Sequence, residues 1–379
     1  MPRFYTKQTE LNNGNRGQTG MLKKLDIYII KKFLGTFVYA ITLIILIVVI
    51  FDLSEKIDKF IDNQAPFYDI IFVYYLNFIP YFINLFSPLF TFIAVVFFTS
   101  RMAFNTEIIA ILSSGVSFRR MLVPYMISAM LLALISVYLS NVMIPEANKK
   151  RLEFEYVYVR SPDLSAGRHI HMQIRPGIFI YLESFNERTQ TGYHFSLERI
   201  EGGELQYKLF SDLARYDEEK DQWRIENYNI REIHGLEEEL SFGKTLDTVL
   251  PFTPRDFVQN IKDMETMNFG ELNEFIANEK LKGSEAVSFY EVERHRRMAF
   301  PFSTLVLTLI GVALSSQKVR GGIGLHLGAG IALSFTFILF MQVTTTFATK
   351  GSLHPMVAVW IPNILFGILG IYLIKKAPK

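Results

Sequence analysis

There is no cysteine among the 379 residues. Disulfides, thiolate nucleophiles and cysteine-held metals are therefore excluded, while the redox compartment stays open, because a chain without thiols suits either side. Charge is sparse as well: charged residues make up 20%, and 39 basic against 37 acidic side chains leave a net charge of +2. With so even a balance, nothing points to nucleic acid. Catalytic signatures are also missing. Neither a Gly-x-Ser-x-Gly elbow nor a His-Glu-x-x-His zinc helix occurs, which argues against a hydrolase.

Two glycine-rich stretches imitate nucleotide loops and fail the test. Gly321-Gly322-x-Gly324-x-x-x-Gly328-x-Gly330 leads into an apolar helical pattern instead of following a strand, so it is no dinucleotide fingerprint. Its Gly324-x-x-x-Gly328 spacing predicts close helix contact in a membrane instead. Gly243-Lys244-Thr245 has Glu238 where a phosphate loop needs a glycine. No ATP site or other cofactor is expected in this chain. His169 and His171 share one face of a predicted strand, yet no third ligand stands near, so no metal is expected.

Apolar residues supply what remains. Half of the chain is hydrophobic, with 34 Phe and a mean hydropathy of +0.22, more than a soluble globule shows. A bilayer core needs roughly 20 apolar helical residues, and six runs meet that need: about Phe33–Phe51, Ile70–Phe98, Met121–Ile144, Met298–Leu314, Leu325–Phe347 and Met356–Ile374. The second carries Pro80 and Pro88, which predict a kink tolerated within a bundle. Ahead of the first run, Met1–Gly20 is polar and rich in Asn and Gly and reads as a disordered tail, with Met21 an alternative start. A cleaved signal peptide is disfavoured, because the first apolar run is too long and has no small-residue cleavage site.

Between the third and fourth runs lies a polar block from about Pro145 to Arg297. There the period changes to alternation, as in Ile178–Glu183 and Trp223–Ile233, punctuated by Pro176-Gly177 and Gly202-Gly203, the pattern of β-hairpins. Asn268-x-x-Glu271 then reads as a capping box opening a helix to about Lys282, with Gly283 as its stop, and a second helical pattern from Ser284 enters span four. The fold class is thus an α-helical membrane protein with six transmembrane helices, three before and three after an inserted all-β domain. Residues 21–145 hold spans one to three, 146–266 the β domain, 267–297 a helical connector and 298–376 spans four to six.

Short-loop cations set the orientation. Lys23, Lys24, Lys31, Lys32, Arg101, Arg119, Arg120, Lys318, Arg320, Lys375, Lys376 and Lys379 all fall on one side if the spans alternate, against Lys56, Lys59 and Lys350 opposite. The positive-inside rule places both termini in the cytoplasm and the β domain outside. Arg294, His295, Arg296 and Arg297 break the rule at the outer mouth of span four. They read either as snorkelling anchors or as contacts to a phosphorylated lipid. On the cytoplasmic side, Ile108, Ile109, Ile111 and Leu112 recur at helical spacing between Glu107 and Gly115, predicting a short surface helix near 105–117, an interfacial anchor or a docking element.

Three motifs in order resemble one family. Leu25-Asp26-x-Tyr28-Ile29, then Glu107-x-x-Ala110-x-x-x-Ser114-Gly115-x-Ser117 after span two, then Glu293–Pro301 entering span four, are similar to the permease subunits of the lipopolysaccharide exporter, the LptF/LptG type, with the opening motif leaning toward LptG. The resemblance implies a half-transporter in the inner membrane of a bacterium that pairs with a second homologous permease and rests on the dimer of a separate ABC ATPase, which uses ATP and Mg²⁺. It further implies a jellyroll-like periplasmic β domain, a periplasmic bridge protein, a single-span assembly factor and lipopolysaccharide as cargo among membrane lipid. Glu107, Ala110, Ser114, Gly115 and Ser117 are the expected ATPase-coupling residues. Lys56, Lys59, Arg294 and Arg297 are candidates for lipid phosphate, and Phe335, Phe337 and Phe340 for the lining of an apolar shelter. The competing reading is a mechanotransmission or sensor protein that moves no lipid.

Because native thiols are absent, single-cysteine labelling tests the orientation. Asp62→Cys, Gln190→Cys and Gly351→Cys are expected to react with an impermeant thiol reagent once the outer membrane is permeabilised, and Ser117→Cys, Gln317→Cys and Ala377→Cys to stay unlabelled. Labelling at Ser117→Cys would reverse the orientation.

Overall fold

Each apolar run becomes a helix, and each helix outlasts its run. The computed structural model describes residues 23–159, 165–166, 170–186, 189–218, 220–235, 237–250, 252–254, 263–284, 286–317 and 322–376. The tail Met1–Gly20, His169, Gly321, Lys318, Arg320 and Lys379 lie outside them. Six helices among these residues are long and apolar enough to cross a membrane. The first, α1 (Lys24–Asp62), has 39 residues, about 58 Å at 1.5 Å per residue, and so overreaches a hydrocarbon core of roughly 30 Å.

The second span starts with the single turn α2 (Phe67–Asp69), passes through a π-helical turn at Ile70–Tyr75 and continues as α3 (Leu76–Phe104). The irregularity expected in this span takes the form of that π turn, while α3 runs on through Pro80 and Pro88. A short helix, α4 (Glu107–Ser113), precedes the third span. That span is α5 (Phe118–Tyr138), a second π turn at Leu139–Met143, and α6 (Ile144–Tyr158). Asn84 of α3 ties the two spans together, accepting from Ser136 at 2.6 Å and donating to Ser140 at 2.9 Å, the kind of polar link that joins helices in lipid.

Continuation through α6 corrects the domain boundary expected at 146. Pro145 sits in the first turn, where a helix tolerates proline, and Ala147, Asn148, Arg151, Phe154 and Glu155 form a buried helical seam. The third span therefore rises as a stalk to Tyr158 before the strands begin. Returning to the membrane, α7 (Phe269–Lys282) is followed by α8 (Val287–Ser315), which crosses from the connector into span four without a break, and by α9 (Gly322–Thr349) and α10 (Pro355–Lys376).

Packing radiates from α3. On one side Ile29, Phe33, Phe37, Ile41 and Ile45 of α1, spaced every four residues, share a core with Val95, Phe98 and Met102 of α3 and Met121 and Tyr125 of α5. On the other, Phe92 and Val96 join Leu307 and Ile310 of α8, Phe337 of α9 and Val359 of α10. A Cβ on Gly311 of α8 would lie 2.9 Å from Val95, and one on Gly330 of α9 would lie 3.2 Å from Phe92, so small residues let these helices approach α3. Gly324 and Gly328, expected to make such contacts, have nothing within 4 Å. Coverage is uneven: 61% of the apolar window of α8 is buried, against 17% for α1 and 28% for α9. The lipid-facing sides of α1 and α9 are accordingly bare.

The insert is an antiparallel sheet of eight strands. β1 (Ser165–Ala166) and β2 (Ile170–Arg175) pair with successive parts of one neighbour, β4 (Ser184–Asn186) and β3 (Ile178–Leu182), which in turn share β5 (Thr191–Glu201). β6 (Glu204–Asp217), β7 (Gln222–His234) and β8 (Glu237–Thr248) follow by hairpins. The strand order, which hairpin signals leave open, is a meander among the described residues. Gly202 and Gly203, at φ 63° and 89°, make the two-residue β5–β6 turn, where both central residues need positive φ. Trp223, Ile225, Phe195 and Leu182 fill the core, and the Trp223 indole donates to the Phe252 carbonyl at 2.9 Å. Across β7–β8, Arg224 grips Asp247 with two bonds of 2.9 and 3.1 Å and holds its carboxyl below the usual carboxylate range.

The connector matches the capping signal residue for residue. Asn268 Oδ1 accepts from the amides of Gly270 and Glu271 at 2.9 and 3.0 Å, Glu271 accepts back from the Asn268 amide at 2.8 Å, and Gly283 closes α7 at φ 69°. Asn268→Ala is expected to cost about 1 kcal/mol of local stability, read as faster amide exchange at Gly270 and Glu271. Unchanged exchange would mean that the cap does not hold the connector.

Candidate functional site

Two αL residues isolate α4 from its neighbours. Thr106 enters it at φ 61° and Gly115 follows it at φ 86°, so the chain direction breaks on both sides of a helix of seven residues. A helix this short is marginal alone. Ile108, 1% exposed, anchors it in the α1–α3–α5 core with Ile111 and Leu112, while Ile109 and Ala110 of the helix and Ser114, Gly115 and Ser117 of the segment that follows it are exposed. The five expected coupling residues are thus brought together on one small surface element. Ser117 has a second task, accepting from the Arg120 amide at 3.3 Å as the N-cap of α5.

Glu107 is not alone at the start of α4. Its Oε2 accepts from the Tyr28 hydroxyl of α1 at 3.0 Å, and its Oε1 accepts from Asn105 at 3.4 Å. Nearby, Asp26 is 2% exposed and accepts two guanidinium bonds from Arg120, at 2.8 and 2.6 Å. Sequence reasoning quoted Asp26 and Tyr28 for their motif but gave them no role, and it counted Arg120 only as a loop cation. The missed signal is a lone carboxylate beside a cationic helix start, which calls for a partner.

At the opposite end of α1, the expected lipid contacts divide. Lys56 is held inside the protein: it donates to Asp52 at 2.7 Å and to the Tyr74 hydroxyl, lies 3.6 Å from Glu155 of the stalk, and sits 4.9 Å over the Tyr74 ring. Tyr74 and Tyr75 donate to the same Asp52 at 3.0 and 3.3 Å. Lys59, one turn further, is exposed. Arg297 is 5% exposed and donates to the carbonyls of Met267 and Met264 at 2.6 and 2.8 Å, fastening the connector to α8. Arg294 keeps a partly open position beside Asn273 and Glu291.

The aromatic candidates divide in the same way. Phe335 is 55% exposed on α9, Phe340 is half-buried, and Phe337 is 2% exposed with its ring edge-on to Phe366 at 5.1 Å. Phe337 is a core residue, because consecutive odd positions on a helix cannot share one face. Arg296 pairs with Glu293 at 2.7 Å and lines a mixed polar and apolar pocket of about 60 Å³ with Tyr81, Asn84, Leu85, Asn148 and Phe300, large enough for ordered water. Among the described residues no His, Asp or Glu cluster suits a metal ion, and His171 stacks on Tyr181.

A family model described as the lipopolysaccharide export system permease LptF/LptG matches residues 27–376. The chain belongs to the LptF/LptG family. No curated protein matches it. The family match spans all six membrane helices and the β insert, so the chain is a membrane-spanning permease of lipopolysaccharide export, and its short helix α4 lies inside the matched region.

Arg294 and Arg297 of this LptF/LptG permease should separate by stability. Arg297→Ala removes the guanidinium donor from the Met267 carbonyl and leaves the Met264 carbonyl only the Met267 amide, about 1–3 kcal/mol if the Met267 carbonyl stays dry. Arg294→Ala should stay within about 0.5 kcal/mol. Thermal unfolding in mild detergent measures both, and equal losses would contradict the assignment.

Proposed function

We propose that the chain is the half-permease of an ATP-driven exporter in the bacterial inner membrane, with cytoplasmic termini and a periplasmic β domain. A separate ABC ATPase dimer docks on α4 and uses ATP and Mg²⁺, and a second homologous permease completes the lipid shelter. The observation that carries this reading is α4 itself: a short helix between two left-handed breaks with one buried isoleucine, whose outward surface carries Ile109 with Ala110 and Ser113 beside Glu107. A mere lipid anchor has no use for an exposed row of Ala, Ser and Gly, whereas a docked protein surface does.

Lifting a multi-acyl glycolipid out of the bilayer exposes hydrocarbon at about 0.8 kcal/mol per CH₂, so extraction needs both an energy source and an apolar shelter. The bare faces of α1 and α9, including Phe335 and the open Gly324–Gly328 side, suit the second permease and the acyl chains. Lys59 and Arg294 remain for lipid phosphate, while Lys56 and Arg297 serve the protein's own architecture. The β8 edge, with Leu240 and Phe242 exposed, offers a periplasmic bridge of similar domains strand backbone that no other described strand pairs with, and a single-span assembly factor is a further partner of the same complex.

Glu107 provides the test. If it meets an arginine in a docking groove, Glu107→Ala strands a desolvated charge, at about 2–5 kcal/mol, and should sharply reduce ATPase co-purification and lipid-stimulated turnover in a protein that still inserts. Glu291→Ala, at the outer connector, should do neither. The isolated chain should hydrolyse no ATP. A Glu107→Ala complex that assembles and turns over normally returns α4 to an interfacial anchor and favours the sensor reading.

A further inference from the structure

Both sides of α4 are gripped by the same partner, the first turn of α1. Tyr28 holds Glu107 where α4 begins, and Asp26 holds Arg120 just after Gly115, where α5 begins. Of the two breaks, Thr106 stands just before the first hold and Gly115 lies between the two. Neither α3 nor α5 can set the direction of α4 through a continuous helix, because each is separated from it by a break. Rotation of α4 about its breaks must therefore rupture the Tyr28–Glu107 contact or carry α1 along, while Asp26–Arg120 fastens α1 to α5 beyond the second break.

The contacts are built to hold. Asp26 is buried and accepts two charged bonds, the stronger class of hydrogen bond. Tyr28 is steadied on its far side by an edge-on contact with Phe98 at 6.4 Å. α1 itself is the stiff member of its half: 39 residues of α-helix with no proline, whereas the second and third spans each contain a π turn and proline. Its far end is tied again, through Asp52 and Lys56, to Tyr74 in the first π turn and to Glu155 in the stalk beneath the β domain.

We infer that Asp26 and Tyr28 are positioning residues for energy coupling, which make α1 move as one body with the docking helix and deliver its displacement to the Asp52–Lys56–Glu155 cluster at the base of the β domain. The inference rests on α4 being the ATPase-docking element. Tyr28 orients the Glu107 carboxylate and Asp26 fixes the hinge, and neither touches the lipid or the nucleotide.

The experiment uses the full complex of this permease, its ATPase and its second permease in liposomes containing lipopolysaccharide, and reads ATPase co-purification, ATP turnover and lipid released per ATP. Tyr28→Phe keeps the ring and loses the donor. It should leave assembly and basal ATP turnover intact while lipid released per ATP falls about tenfold, the scale of one lost hydrogen bond to a charged group. Asp26→Cys with Arg120→Cys should show the same loss when reduced and recover when the two thiols are joined by a short bifunctional reagent, because a covalent tie replaces the ion pair. A merely structural role would lower assembly and yield instead, with release per ATP unchanged. Normal release per ATP in Tyr28→Phe and in the reduced double variant, with Glu107→Ala impaired, would overturn the inference and leave the docking reading standing. Normal behaviour of Glu107→Ala would overturn the docking reading itself.

Discussion

Hydrocarbon offers no partner to a polar group, and this constraint organises the whole chain. Backbone amides close into six helices, and the ionic groups of those helices gather at the two ends, where water and headgroups begin. At one end stand Asp26 with Arg120 and Tyr28 with Glu107. At the other stand Asp52, Lys56, Tyr74 and Glu155, with Arg297 and Asn148 pinning the connector carbonyls of Met264, Met267 and Glu265. What crosses the apolar middle is steric: isoleucine and phenylalanine of α1 on one side of α3, glycine notches of α8 and α9 on the other. A mechanical signal passing through such a bundle has to travel as motion of whole helices, and α1, a 39-residue helix without proline, is tied by polar groups at both ends.

Much of the scaffold was legible from the sequence because its causes are local. Six apolar runs demand six helices, Asn268 and Glu271 announce a cap three residues apart, Gly202-Gly203 announces a turn, and Gly115 announces a stop. Long-range pairing was not legible. Lys56 and Arg297 look like free cations in a sequence, and only the fold brings Glu155 to the first and the carbonyls of Met264 and Met267 to the second. The same holds for Phe335 and Phe337, neighbours in sequence on opposite faces of α9. The third span misled for a different reason: its apolar run ends near Ile144, yet the helix continues through the polar residues beyond it as a stalk to Tyr158.

Membership of the LptF/LptG family and the geometry meet at α4. A seven-residue helix has little reason to exist between two spans unless something outside the membrane uses it. Its buried side is fully explained by Ile108 and its neighbours, and its open side by nothing among the described residues. The account therefore stands on what contacts that open side. A photo-crosslinking amino acid at Ile109, 54% exposed, with one at the 1% exposed Ile108 as control, asks this directly in intact membranes. Capture of a soluble ATPase at position 109 and of this chain alone at position 108 is the predicted result. Capture of lipid alone at position 109, in cells where the full complex is assembled, would contradict it.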